Sequence, residues 1–158
     1  MVSAGKTVEY ANSKVPVVVS SITSAARSLL DQGVQHMVLP GVVPLGCLPR
    51  ILTVYVSPNG SDYDSIGCLQ RYNDISQNHN RILQDAVKQL QIEFPKAVIS
   101  YADYYQPITE FLAKPTLYGV AACPDPTTVN WDGIAFTEKA YNIIANGWRN
   151  GLYAIPPI

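Results

Sequence analysis

Apolar residues recur at three- and four-residue spacing over two long stretches of the chain, each followed by a short apolar run bounded by turn residues. In the first stretch Val18, Ile22, Ala25, Ala26, Leu29 and Leu30 predict a helix over residues 15–32. Gly33 follows, where a residue with positive φ closes a helix. His36-Met37-Val38-Leu39 then predicts a short buried strand, stopped by Pro40-Gly41. The second stretch puts Leu69, Tyr72, Ile75, His79, Ile82, Leu83, Ala86, Val87 and Leu90 on one stripe of a helix over 67–94. Pro95 ends that helix, and Ala97-Val98-Ile99-Ser100-Tyr101 predicts a second strand. A short helix over 104–112 follows Asp103, whose side chain is a candidate N-cap. A final helix over 137–150 opens on Thr137 as N-cap, directs Ala140, Tyr141, Ile144 and Trp148 inward, and ends at Gly151. Residues 1–13 are polar, lack strong periodicity and predict a cut edge or a frayed lead-in. Helix and strand alternate, the rhythm of an α/β protein with a parallel sheet.

Composition narrows the functions available. At 158 residues the chain suits a single domain, 1–158, that buries about 70% of its unfolded surface. With 47% hydrophobic and 15% charged residues it is far from disorder. A net charge of -1 without a Lys/Arg cluster provides no field for nucleic acid. The longest apolar runs fall well short of the roughly 20 residues that span a bilayer. No signal peptide is recognisable at the N-terminus, which predicts a cytosolic location for the chain as written.

Three cysteines, Cys47, Cys68 and Cys123, show no CxxC spacing, which argues against a zinc site. Cys47 and Cys68 flank a polar loop that a disulfide could close, and Asn59-Gly60-Ser61 within it is a glycosylation sequon. Both features make sense in a secreted protein, although the sequon also reads as a simple turn. The loop over 42–50 follows the C-terminus of the first strand, where open α/β sheets place their binding crevice. It is a candidate substrate wall or a plain connection.

The stretch Trp131-Asp132-Gly133-Ile134-Ala135-Phe136, running into Thr137-Glu138-Lys139-Ala140-Tyr141, resembles the last signature block of plant GDSL esterases/lipases, in the SGNH hydrolase group. Further segments resemble the same family in the same order. Pro44, Gly46, Cys47 and Pro49 match its proline-x-glycine-cysteine-x-proline pattern, and Asn73 with Asn78-His79-Asn80 and Tyr101-Ala102-Asp103-Tyr104-Tyr105 follow. The resemblance covers residues 5–152. It implies a three-layer α/β/α flavodoxin-like sandwich with a parallel sheet, N-terminally truncated. It also implies a small ester or lipid substrate, an extracellular location, and no cofactor or metal.

In that family an Asp and a His three residues later serve a catalytic serine. Asp132 matches the acid, but position 135 is alanine, which cannot accept a proton as general base. The family's Gly-Asp-Ser and Gly-x-Asn-Asp blocks are absent, and the resemblance starts just after them. The cysteine- and glycine-rich insert usual after the counterpart of Tyr118-Gly119-Val120 is missing as well, leaving Cys123 without its usual kind of partner.

No other residue is placed by spacing to substitute. His36 opens a strand and His79 lies on a packed stripe, while Ser20, Ser21, Ser24 and Ser28 fall in the first helix without a nucleophile's tight turn. Tyr101, Tyr104 and Tyr105 read as packing around the end of the second strand. Asp132 itself reads either as the catalytic acid or as a loop carboxylate capping the next helix. Two functional classes follow: a truncated GDSL esterase/lipase-like protein without esterase activity of its own, or a non-catalytic binding or assembly protein. The second would self-associate or pair with a missing N-terminal half through exposed sheet edge and apolar helix face. A flavodoxin-like cofactor domain would share the layers, but no glycine-rich phosphate loop follows a strand.

Overall fold

The structure, a computed structural model, describes residues 7–119, 129–130 and 132–158. Helix α1 (Val8–Asp31) opens on Thr7, whose hydroxyl accepts a hydrogen bond from Tyr10 N at 3.2 Å. It therefore begins well before the position expected, and residues 8–13 are helix rather than lead-in. The apolar signal there was interrupted by Asn12, Ser13 and Lys14 and by Pro16, which the helix accommodates in its interior. Val8, Ala11, Val15, Val19, Ala26 and Leu30 form its buried face, whereas Leu29 is half exposed. Gly33 takes φ +96° just past the helix, as the sequence predicts.

Strand β1 (His36–Pro40) pairs in parallel with β2 (Val98–Ala102), from His36 opposite Val98 to Pro40 opposite Ala102. A third strand, β3 (Ala154–Ile155), adds antiparallel to the other side of β2. The sheet order is β1-β2-β3, with the expected parallel pairing between β1 and β2 and an antiparallel strand added at β3. The two residues of β3 are too few to show an alternation in sequence. The expectation of a buried first strand also needs correction, because His36, Val38 and Pro40 of β1 are exposed along the sheet edge.

Between β1 and β2 the chain forms a 3₁₀ turn over Leu45–Cys47, helix α2 (Pro49–Val54), a second 3₁₀ turn over Gly60–Asp62 and the long helix α3 (Gln70–Glu93). After β2 come α4 (Tyr105–Ala113), the single turn α5 (Pro115–Tyr118) and α6 (Glu138–Arg149). Two cores flank the sheet. Leu83, Leu90 and Val87 of α3 meet Val15 and Val19 of α1 and the Ile99/Tyr101 face of β2. Ile108 and Phe111 of α4 pack with Ala140 and Ile144 of α6, Val129 and Phe136. Helices on both faces of a sheet make this an α/β/α arrangement, as expected.

Aromatic residues close the far end of β2. Tyr101 is buried, Tyr104 meets the Trp148 ring edge-on at 4.7 Å, and the Tyr105 hydroxyl accepts from Gln77 at 2.7 Å. Trp148 Nε1 donates to Asp103 O at 2.9 Å, tying α6 to the start of α4. Tyr141, expected to face inward, is 43% exposed, because the α6 stripe is carried by Ala140, Ile144 and Gly147 instead. A Cβ on Gly147 would come within 2.2 Å of the Tyr153 ring, so the close approach needs glycine there.

Candidate functional site

The loop after β1 is held to α3 by polar side chains on the buried face of that helix. Asn73, Ser76 and Asn80 recur at i, i+3 and i+7, on one helical stripe, and all three are buried. Gly46 N donates to Asn73 Oδ1 at 2.9 Å and Leu45 N to Ser76 Oγ at 3.1 Å. Val42 N donates to Asn80 Oδ1 at 2.7 Å, and Asn80 Nδ2 donates back to Val42 O at 2.9 Å. A loop without strand or helix partners must find hydrogen bonds elsewhere, and here α3 supplies them. Asn73 also donates to Asp64 Oδ2 at 3.4 Å, and Asp64 Oδ1 accepts from Ile66 N and Cys68 N.

Cys47 and Cys68 are joined by a disulfide, with Cα atoms 4.4 Å apart, so the polar loop between them is closed covalently. Cys123 lies outside the described residues.

Beyond the end of β1 this loop, α1, α2 and α3 enclose a cleft of about 530 Å³. Val15, Val18, Leu45, Ile51, Tyr72 and Ile75 make it mainly apolar, and Arg50 and His79 are its basic groups. The loop over 42–50 is thus a cleft wall as well as a connection. His79 is buried, with Nδ1 3.3 Å from Asn80 Oδ1, so it belongs to the packed stripe and also reaches the cleft.

Asp132 sits on a loop pinched at its base. Asn130 and Phe136 form an antiparallel bridge, Thr137 N donates to Val129 O at 3.0 Å, and Phe136 anchors the pinch in the second core. At the tip Asp132 Oδ1 accepts from Ile134 N at 2.9 Å and Ala135 N at 2.6 Å, while Gly133 takes φ +85°. Gly133 O accepts from Arg50 N at 3.4 Å, which joins the loop to the start of α2 and so to the cleft. Hydrogen bonds from Ala135 and Ile134 hold the Asp132 carboxyl below the usual aspartate value. Asp132 is exposed, and no described histidine or serine hydrogen-bonds to it. Trp131 lies outside the described residues.

Of the two readings of Asp132, the cap describes its geometry, with one correction. It closes its own turn over 132–135, while helix α6 is capped by Thr137, whose hydroxyl accepts from Ala140 N at 3.4 Å. Asp103 is likewise a cap, accepting from Tyr105 N at 2.7 Å and Gln106 N at 3.1 Å. Burial raises its carboxyl above the ordinary value against those two bonds. His36 is exposed at the start of β1, and Ser20, Ser21, Ser24 and Ser28 are exposed on α1. The structure does not gather these residues into a catalytic array with Asp132.

Sequence reasoning placed His79 on a packed stripe but gave no role to Asn73, Ser76 and Asn80. Their signal was present: three polar residues on an otherwise apolar helix face need buried partners.

Comparison with known proteins gives a consistent answer. The profile of the family described as GDSL-like lipase/acylhydrolase matches residues 2–148. A GDSL esterase/lipase of Arabidopsis thaliana is 36% identical over 182 aligned positions, covering 96% of this chain and 46% of the relative. A second from the same plant is 33% identical over 97% of this chain and 47% of its own length. Acetylajmalan esterase 2 of Rauvolfia serpentina is 33% identical over 97% of this chain and 48% of its own. The chain spans about half the length of the curated relatives it matches. The first alignment is longer than the chain itself, so that relative carries residues for which this chain has no counterpart. By the extent of these matches and the α/β/α layering, the chain belongs to the GDSL lipase/acylhydrolase family.

Proposed function

We propose that the chain is a GDSL esterase/lipase-like protein that does not hydrolyse esters on its own. The observation that carries this reading is the Asp132 loop: the residue three positions after the acid is Ala135, and its backbone N–H occupies the carboxylate. A serine hydrolase needs a nucleophile, a base, an orienting acid and oxyanion donors. Asp132 alone, exposed and bonded to its own turn, supplies none of the first two. The ester chemistry of the family, on a small ester or lipid substrate, belongs to molecules in which the other half of the fold is present. In such a molecule Asp132 is the orienting acid, and the apolar cleft beside Arg50 forms part of the substrate wall. The test is hydrolysis of p-nitrophenyl acetate by the purified chain. A rate at the level of a heat-treated control is expected. A rate well above it, abolished by one point substitution, would overturn the reading.

The alternative is a non-catalytic binding or assembly protein, favoured by the exposed edge of β1, where Val38 is 39% exposed, and by the exposed Val17 on α1. Among the described residues the outer edge of β1 has no strand partner, and such an edge can take another strand, from a second copy or from a different polypeptide. Sedimentation across a tenfold concentration range tests this: a strictly monomeric species throughout removes it. Residues 1–158 are read as one folding unit, which a single cooperative melt would support.

The compartment we assign is extracellular or secretory. The Cys47–Cys68 bond supports it, since such bonds persist where thiols are not kept reduced. Finding both cysteines as free thiols in native tissue would count against it. No described helix is long and apolar enough to cross a membrane.

A further inference from the structure

Asn59-Gly60-Ser61 is the one Asn-x-Ser/Thr sequence in the chain, and the middle residue is not proline. It lies inside the loop that Cys47 and Cys68 close, at the second 3₁₀ turn. The backbone there is engaged and the acceptor side chains are not. Asp62 N donates to Asn59 O at 3.1 Å, and Asn59 N donates to Ser57 Oγ at 3.2 Å. The turn is braced from within by Ser57 Oγ donating to Asp62 Oδ2 at 2.5 Å and by Ser57 N donating to the Tyr63 hydroxyl at 2.8 Å. The Asn59 amide and the Ser61 hydroxyl make no hydrogen bond to a described residue, and residues 58–61 are all exposed. A Cβ built on Gly60 meets nothing within 4 Å, so the space beside the sequon is open.

From this we infer that Asn59 is an N-glycosylation acceptor. The donor class is an oligosaccharide carried on a polyprenyl diphosphate. In the transfer the Asn59 Nδ2–C1 bond forms, the C1–O bond to diphosphate breaks, the amide gives up one proton, and polyprenyl diphosphate leaves. Ser61, two residues on, is the hydroxyl the transferase requires. The glycan would stand on a braced turn without displacing any packed side chain. The inference rests on the secretory compartment proposed above, since the donor is met there.

The test uses the full 158-residue chain behind a cleavable leader, translated with microsomes, and reads only the protease-protected fraction. The leader forces translocation, so failure here bears on Asn59 and not on the chain's natural compartment. The expected result is one mobility shift, removed by an N-glycanase, absent in Asn59→Gln and Ser61→Ala and kept in Ser61→Thr. A protected chain at unshifted mobility overturns the inference, as does a shift that survives Asn59→Gln. The thiol state of Cys47 and Cys68 in native tissue bears separately on the compartment.

Discussion

Asn80 closes both backbone groups of Val42 with one amide, accepting from its N–H at 2.7 Å and donating to its carbonyl at 2.9 Å. The pair works like a strand-to-strand register contact carried by a side chain, and it fixes where the chain leaves β1. Asn80→Ala removes both partners and is expected to destabilise the protein by about 1–3 kcal/mol, the usual penalty for a polar group left unpaired. Asn80→Asp keeps the acceptor but cannot donate to Val42 O, so it is expected to fall below wild type as well. Chemical denaturation midpoints of the two variants check this.

Gly46 lies where the loop meets the start of α3. A Cβ there would stand 2.0 Å from Leu69 O and 2.9 Å from Asn73 Oδ1, and Leu69 O is backbone that cannot step aside cheaply. Gly46→Ala is expected to cost about 1–3 kcal/mol by overpacking. Gly60→Ala, in open space, should stay within about 0.5 kcal/mol of wild type. Equal midpoints for the two variants would contradict this account.

The Cys47–Cys68 bond joins residues 21 apart in sequence. On the chain-entropy view, closing a loop of this length stabilises by about 3 kcal/mol. Reduction, or Cys47→Ser with Cys68→Ser, is expected to lower the denaturation midpoint accordingly.

Glu110 provides a pH signature. Burial alone would raise its carboxyl, but hydrogen bonds from Gln106, Tyr153 and Tyr118 outweigh it and leave the group below the ordinary glutamate value. A carboxyl depressed in the folded state contributes stability above its unfolded value and loses it as pH falls through the folded one. The melting temperature should therefore drop on acidification below the normal glutamate range. That segment of the pH profile should flatten in Glu110→Gln. A variant profile parallel to wild type would contradict the assignment.

On the reading proposed above, Ala135→His places an imidazole three residues after Asp132 without supplying a nucleophile. It is expected to leave p-nitrophenyl acetate hydrolysis at the level of an exposed histidine on any protein. A saturable rate, lost on adding Asp132→Asn, would show that the loop still supports a catalytic pair.

Most of this fold was legible because its helices are long and amphipathic. The stripe from Tyr72 to Leu90 and the Thr137 cap were read correctly from spacing and side-chain chemistry alone. The misses share a cause. The start of α1 was hidden by Asn12, Ser13, Lys14 and Pro16, whose local preferences are overridden by Val8, Ala11 and Val15 packing into the core. Strand β3 is defined by its partner Ala102 and has no pattern of its own. In the site, the alanine three residues after Asp132 is plain in the sequence, whereas the bonding of Asp132 to its own turn depends on the left-handed Gly133. The buried Asn73, Ser76 and Asn80 carry a signal, polar residues set within an apolar stripe, but spacing alone does not say which backbone groups they bond.

That ladder makes α3 a ruler. Its three side chains are matched to Gly46, Leu45 and Val42 only while 73, 76 and 80 stay in phase, and one residue inserted between them would rotate everything beyond by about 100°. Length variation in relatives of this chain should therefore collect in the bridged loop over 48–67 and spare the first half of α3. The helix tolerates changes of residue more readily than changes of count.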